Sequence, residues 1–267
     1  MTPLLPLWGA AALFMVLVMT AAWVVQRRTL QGGWADAFWS LGLGAAGVGV
    51  ALTPVDGVSP SARQWLTAAL IGLWGLRLGL HIAARAARES EDARYARLRQ
   101  EWGPRFQSRM FGFLMLQAGA GALLVLGILL AARNPAPGLS LQDGLAALIF
   151  MSALLGEAIA DRQLTAFKAD HANRGQVCDA GLWAWSRHPN YFFEWLAWCA
   201  WPVFAINIDG AWPWGWLALT GPAYIYWLLN HVSGVPLLEA HMHRSRPAAF
   251  AAYAARTSRF FPRPPRH

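Results

Sequence analysis

Seven long apolar stretches alternate with short polar segments along the chain. They lie near residues 4–25, 36–53, 64–84, 110–132, 142–165, 190–208 and 213–237. Each approaches the roughly 20 residues that a helix needs to cross the hydrocarbon core of a bilayer. The pattern predicts an all-α integral membrane protein with seven transmembrane helices, built as a single membrane domain over residues 1–267.

The composition agrees with a membrane protein. Of the 267 residues, 56% are hydrophobic and only 13% are charged, whereas soluble domains carry about 25% charged residues. The 16 tryptophans suit membrane interfaces and apolar pockets. The first apolar stretch lacks a basic region before it and is long enough to span, which predicts a retained helix rather than a cleaved signal. Two cysteines, Cys178 and Cys199, fit neither a disulfide framework nor a zinc site.

Basic residues are concentrated on alternate connections between the apolar stretches. Of the 22 lysines and arginines, 19 lie at the end of the fifth stretch, after the first, third and fifth stretches, or in the C-terminal tail. The positive-inside rule then places the N-terminus outside and the C-terminus in the cytoplasm. Topology therefore explains the net charge of +8 without nucleic acid. We expect a multi-pass protein of the cell inner membrane whose active site opens to the cytoplasm.

Ionisable and amide side chains collect in the predicted cytoplasmic halves of the helices. Such residues are costly inside a bilayer and are usually functional. Each one alone also fits an ordinary role, such as an interfacial charge, a snorkelling side chain or a structural ion pair. The arginine-rich loop 85–109 is expected to be solvated, with chemistry at most at Tyr95. The convergent set consists of Asp36, Arg77, His81, Glu157, Asp161, Asn190, Glu194, Asn230 and Glu239.

These groups predict a mixed-charge cavity that suits a dinucleotide. Asp161, Glu157 and Asn190 can hydrogen-bond ribose hydroxyls or a carboxamide. No glycine-rich turn after a strand is present, and Gly42–Gly44 lies in a spanning helix, where it favours close helix packing. A dinucleotide site would therefore be built between helices. The cations that can face its phosphates are Arg77, Lys168, Arg174, Arg187 and Arg256.

Motifs along most of the chain resemble a known family. They include Asp161-Arg162-Gln163-Leu164, Asn173-Arg174-Gly175-Gln176, Ser186-Arg187-His188-Pro189-Asn190-Tyr191 with Glu194, Ser233-Gly234-Val235-Pro236, and Tyr253-Ala254-Ala255-Arg256. These motifs resemble the C-terminal domain of steroid 5-alpha-reductases, most closely the bacterial homologues. They are more distantly similar to sterol C14-reductases and isoprenylcysteine carboxyl methyltransferases.

The resemblance implies NADPH-dependent reduction of a carbon–carbon double bond conjugated to a ketone, as in a 3-oxo-delta-4 steroid. It implies a substrate pocket mainly in residues 1–132 and a cofactor site mainly in residues 133–267. The implied cofactor residues are Asp161, Lys168 and Asn190, in a patch with Arg187, His188, Tyr191 and Glu194, to which we add Arg77, Glu157, Arg174, Asn230, Glu239 and Arg256.

The residues that handle the substrate are expected nearer the N-terminus. By resemblance, Asp36 occupies the place of an acid that hydrogen-bonds the ketone. Trp74 or His81 lies nearest to the position of a ketone-polarising tyrosine. The implied partners are an apolar enone that enters from the lipid, and the membrane lipids themselves. Neither a metal nor an obligate protein partner is expected.

Two other functions share some of these features. A methyltransferase that uses S-adenosylmethionine would have the same Arg-His-Pro core and basic tail. A transporter or lipid-binding protein would also be apolar and helical, but the chain lacks the inverted repeats typical of transporters. The natural substrate is left open, because a different polycyclic or fatty enone fits the same pattern.

Overall fold

The computed structural model describes residues 4–88 and 93–265, apart from the side chain of Ala93. No strand occurs within these ranges, and only an isolated bridge joins Val55 to Val58. The α-helices are α1 (Leu5–Thr29), α2 (Gly33–Leu52), α3 (Ala62–Arg88), α4 (Ala93–Trp102), α5 (Phe106–Ala132), α6 (Leu141–Ala169), α7 (Leu182–Trp185), α8 (Pro189–Ala205), α9 (Thr220–Trp227), α10 (Val235–Ser245) and α11 (Pro247–Arg256). The predicted all-helical class is confirmed.

Five of the seven predicted spans form helices that are long and apolar enough to cross a membrane, namely α1, α2, α3, α5 and α6. The sixth stretch forms α8, which has 17 residues and contains Pro202. The seventh is divided into a 3-10 segment, α9 and a π segment that ends at Val232. Its predicted boundary at residue 237 is wrong, because Gly234 breaks the helix and α10 begins at Val235.

The described residues form two compact units. The first comprises the described part of Met1–Asp143 together with Phe204–Thr220, and the second comprises Gly144–Val203 together with the described part of Gly221–His267. The first unit therefore extends past residue 132, where the predicted substrate half ended.

A buried ion pair explains why the connection after α5 belongs to the first unit. The Arg63 guanidinium binds Asp143 through Nε at 2.7 Å, and only 4% of the Arg63 side chain is exposed. Its other nitrogens donate to the carbonyls of Asn134, Ala136 and Gly138. The donors of a buried guanidinium are thus directed at the turn that follows α5 and at Asp143 in the first turn of α6, and these contacts fix the turn against α3.

Small residues allow the first-unit helices to approach closely. A Cβ on Gly44 would lie 2.9 Å from the Cα of Gly75, so α2 and α3 cross with their backbones in contact. A Cβ on Gly42 would lie 2.7 Å from the Val18 side chain of α1. The packing role predicted for Gly42–Gly44 is therefore confirmed.

Helix α4 lies across the turn between α1 and α2. Arg99 donates to the carbonyl of Leu30 at 2.9 Å. The Tyr95 ring packs so tightly on Gly32 that a Cβ there would lie 2.1 Å from the ring. Any larger side chain at Gly32 would displace α4, so this glycine permits a polar helix to cover the end of an apolar hairpin.

The C-terminal tail of the second unit is attached to the segment that precedes α8. The Arg187 amide donates to the Ser258 carbonyl at 2.8 Å, and the Arg263 amide donates to the Trp185 carbonyl at 2.9 Å. The Ser186 hydroxyl adds a bond to the Phe260 carbonyl at 2.8 Å. These backbone contacts run on both sides of one short segment and hold the tail beside it.

Candidate functional site

The predicted Asp161 and Asn190 meet in the second unit. Asn190 lies in the first turn of α8, and its Nδ2 donates to Asp161 Oδ1 of α6 at 3.3 Å. Gly156, just over one turn before Asp161, brings the helices together, because a Cβ there would lie 2.4 Å from the Phe193 ring. The result is an amide and a carboxylate side by side on two packed helices, which can bind the hydroxyls of a sugar.

Two of the predicted phosphate-binding cations are available for a ligand. Lys168, near the end of α6, and Arg174, in the following loop, are exposed and have no ion-pair partner among the described residues. Arg256 is also exposed, but it binds Asp179 of the same loop. Exposed cations and a hydrogen-bonded carboxylate–amide pair within one unit form the kind of donor set that a phosphorylated ribose requires.

Arg187 and His188 instead face inward and converge on Glu239. Arg187 donates through Nε to Glu239 Oε1 at 2.8 Å and through another nitrogen to the carbonyls of Ala254 and Thr257. His188 Nε2 lies 3.2 Å from the same carboxylate oxygen. The side chains of Arg187, His188 and Glu239 are only 13%, 7% and 16% exposed. We call these three residues the Glu239 clamp.

The electrostatics of the clamp follow from burial and charge. Burial alone would raise the pKa of the Glu239 carboxyl, but the hydrogen bonds from His188 and Arg187 and the charge of Arg187 outweigh it and lower the pKa to about 2. Burial lowers the pKa of His188, and Glu239 only partly opposes this effect. At neutral pH an anionic Glu239 therefore accepts from the Arg187 cation and from the N–H of a neutral His188.

The other predicted second-unit residues have different surroundings. The Tyr191 ring stacks on His188 with 5.8 Å between ring centroids. Glu194 accepts from the Trp198 indole at 2.8 Å, and Glu157 is buried in α6. Asn230 is buried within the π segment, a rare geometry that often marks functional sites.

In the first unit, Asp36 accepts two hydrogen bonds from α4. The Tyr95 hydroxyl donates to Oδ1 at 2.9 Å, and the Arg94 guanidinium donates to Oδ2 at 2.6 Å. The acid proposed to contact a ketone is therefore an acceptor in this structure, and its neighbour Tyr95 carries the proton. Sequence reasoning singled out Tyr95 only as an exception in a solvated loop, and it missed Arg94.

The three residues predicted to be catalytic are placed differently. Trp74 is buried and packs edge-on against Trp39, one turn beyond Asp36, with 6.4 Å between centroids. His81 is exposed and makes no hydrogen bond within the described residues. Arg77, one turn before it, is half-buried. Trp74 thus contacts the residue one turn beyond Asp36, whereas His81 is at an exposed position of α3.

The fold and the polar groups define an all-helical protein with several membrane-spanning candidates and a polar site between packed helices. Residues 22–257 match the family described as "Protein of unknown function (DUF1295)", and because this match covers most of the chain, the chain belongs to that family.

One curated relative is "Uncharacterized protein C594.04c" of Schizosaccharomyces pombe (strain 972 / ATCC 24843). It is 28% identical over 234 residues, which cover 76% of this chain. The chain spans 64% of the length of that relative. No solved structure matches the chain.

Proposed function

We propose that this protein is an NADPH-dependent reductase of the carbon–carbon double bond of an apolar enone. The most direct substrate is a 3-oxo-delta-4 steroid, reduced to its 5-alpha-dihydro product. The proposal places the protein in the cell inner membrane with seven spans, the N-terminus outside and the C-terminus in the cytoplasm. The observation that carries it is the Asp161–Asn190 hydrogen bond in a unit that also presents the unpaired cations Lys168 and Arg174.

The residues of the second unit fit a phosphorylated dinucleotide. Lys168 and Arg174 are exposed, without ion-pair partners among the described residues, and lie on one continuous piece of chain, which suits charge-assisted bonds to phosphate oxygens. Asp161 and Asn190 offer an acceptor and a donor for ribose hydroxyls or for a carboxamide. When bound, NADPH supplies the hydride, and the protein binds, orients and excludes water.

The Glu239 clamp supports this site indirectly. It fixes the segment immediately before α8, and Asn190 is only two residues beyond His188 in the chain. A rigid clamp therefore limits the positions that the Asn190 amide can take. Phe192 and Trp195 of α8 pack on Phe260 of the attached tail, with centroids 6.0 and 6.1 Å apart, and this aromatic contact also holds the tail against α8.

For the substrate, the first unit offers the hydrogen-bonded pair of Asp36 and Tyr95. The carbonyl oxygen of an enone gains negative charge when hydride adds to the β carbon. A donor that is already positioned stabilises such charge most effectively in a water-poor environment. We expect the Tyr95 hydroxyl to donate its hydrogen bond to this oxygen instead of to Asp36, and the apolar helices around it to hold the rest of the molecule.

The proposal is tested with the purified full-length chain in lipid nanodiscs. NADPH should raise the thermal midpoint, and NADPH oxidation should depend on an added 3-oxo-delta-4 steroid. Asn190→Ala and Asp161→Ala should each weaken NADPH binding by about 10-fold or more, the expected loss of one or two hydrogen bonds to a charged ligand. Asp209→Ala, in an exposed turn, is the matched control and should bind NADPH normally.

Two results would contradict the proposal at different points. Normal enone reduction by both variants would show that Asp161 and Asn190 do not contact the cofactor. A wild-type protein that gains no thermal stability from NADPH would refute the reductase itself. Adding S-adenosylmethionine in a parallel titration separates the methyltransferase alternative, because only the true cofactor should raise the midpoint.

A further inference from the structure

Gln26 is the most unusual polar residue of the first unit. It lies one turn before the end of α1 and continues the buried stripe of Met15, Met19 and Ala22, and its exposure is 0%. Neither Oε1 nor Nε2 of its side chain has a hydrogen-bond partner within the described residues. A buried amide without partners destabilises a fold, so the function of this residue requires an explanation.

Helix α4 explains why Gln26 is buried so close to a helix end. Tyr95 covers Gly32, and Arg99 binds the Leu30 carbonyl, so α4 closes the α1–α2 turn immediately beyond Gln26. The Gln26 side chain itself is 0% exposed, so it is out of contact with bulk solvent. A polar group that is enclosed in this way is available only to a molecule that reaches it from within the helix bundle.

A second unpaired amide oxygen belongs to the same layer of the bundle. The Trp23 indole, one turn before Gln26, donates to the Gln107 carbonyl of α5 at 3.1 Å. Oε1 of Gln107 is itself buried and has no partner among the described residues. The two amides are not bonded to each other, so this layer offers a donor and acceptors at once.

The helix register gives the level of Gln26 along α2. Helices α1 and α2 run antiparallel with Val18 against Gly42, so the level of Gln26 on α2 is about eight residues before Gly42, close to Asp36. Asp36 already accepts from Tyr95 and Arg94. Neither bond involves Gln26 or Gln107, so the two amides form a neutral polar site separate from this charged pair.

We infer that Gln26 and Gln107 bind a hydroxyl group of the apolar substrate. A hydroxyl accepts from Gln26 Nε2 and donates to an amide oxygen, whereas a ketone can only accept. A neutral amide pair also disfavours a charged ligand group, which agrees with a molecule taken up from the bilayer. The inference rests on the proposed function, which supplies the enone as the class of substrate. It narrows that class to enones that carry a separate hydroxyl.

The test compares two ligands that differ by one hydroxyl. Testosterone and androst-4-en-3-one share the enone, and only testosterone has the 17-hydroxyl. We expect the wild-type protein in nanodiscs, titrated without NADPH and followed by tryptophan fluorescence, to bind testosterone about 10-fold more tightly, as one satisfied buried hydrogen bond predicts. In Gln26→Met, testosterone binding should weaken until the two dissociation constants are equal.

A matched control separates ligand binding from structural support. Gln64 is also a buried glutamine of the first unit, but it is fully paired, with the Ser61 amide and the Ala51 carbonyl. Gln64→Met should lower the thermal midpoint of the ligand-free protein and leave the ratio of dissociation constants at about 10. Gln26→Met should raise the midpoint by a few degrees, because it removes an unsatisfied buried amide.

The outcomes decide the inference independently of the reductase proposal. Equal wild-type affinities for the two steroids, or a Gln26→Met variant that keeps the 10-fold ratio, would show that an ordered water or nothing occupies the amides. Failure of both steroids to bind would also overturn it. The reductase proposal is judged separately by NADPH binding, which Gln26→Met should leave unchanged.

Discussion

Glu239→Gln should detach the C-terminal tail from the segment before α8. The substitution keeps the shape of the side chain and removes its charge. Hydrogen bonds to charged groups contribute about 1.5–3 kcal/mol and neutral ones about 0.5–1.5 kcal/mol. Glu239 accepts from Arg187 at 2.8 Å and from His188 at 3.2 Å, so losing the charge should cost about 2 kcal/mol. Arg259, at 3.7 Å and 46% exposed, adds little.

Hydrogen exchange measures this loss at the two amides that hold the tail. The Arg187 amide is bonded to Ser258 and the Arg263 amide to Trp185, and a loss of about 2 kcal/mol should speed their exchange by about 30-fold. The control is Glu101→Gln, which removes an exposed i,i+4 pair with Arg97 and should change exchange less than about twofold. Unchanged tail exchange in Glu239→Gln would refute the reasoning.

Three further measurements follow from burial and charge. Lowering the pH from 7 should loosen the tail in two steps, because folding lowers the pKa values of both His188 and Glu239. The exchange protection that depends on His188 is complete above about pH 6.5 and is lost below it. The exchange protection that depends on Glu239 is complete above about pH 4.5 and is lost as the pH falls toward about 2. Protection factors that do not change with pH would contradict this. Arg63→Met leaves its aspartate partner buried without a counter-charge and should cost about 3–5 kcal/mol, seen as a lower thermal midpoint; an unchanged midpoint would show that the pair is not buried. Gly44→Ala should destabilise by about 1–3 kcal/mol, because its Cβ would lie 2.9 Å from the facing helix backbone. Gly49→Ala, where nothing lies within 4 Å of the new Cβ, should not lower the thermal midpoint. Equal losses of stability in Gly44→Ala and Gly49→Ala would argue against the close crossing of α2 and α3.

The long apolar stretches predicted five helices correctly because length and hydrophobicity are sufficient signals for a spanning helix. They failed at the seventh stretch, where an apolar sequence continues through Gly234 although the helix does not. Local backbone geometry, not hydrophobicity, ends that element. Helix α4 was expected only as a solvated loop, because its mean hydropathy is low and its contacts with Leu30 and Gly32 lie more than 60 residues away in sequence.

The motifs indicated which polar residues belong together in the second unit but not how each one is used. Asp161 and Asn190 are in contact, as their shared placement suggested. Arg187 was expected to face phosphates, yet its donors are directed to Glu239 and to two carbonyls of the tail. The direction of the Arg187 donors depends on partners more than 50 residues away in sequence, and the spacing of residues within one motif does not reveal those partners. Gln26 gave no signal at all, because a single glutamine in an apolar helix matches no pattern.

Arg63 and Arg187, whose side chains are little exposed, share one physical role, which helps to separate structural cations from those available to ligands. Irregular segments next to apolar helices have carbonyls that need donors, and a guanidinium offers five N–H groups in a fixed plane. Arg63 binds three such carbonyls, and Arg187 binds two carbonyls at the C-terminal end of α11, which also lack helical partners. Lys168 and Arg174 bind none and are exposed. Substituting the buried arginines should therefore lower the thermal midpoint first, whereas substituting Lys168 or Arg174 should weaken NADPH binding while the midpoint of the ligand-free protein stays constant.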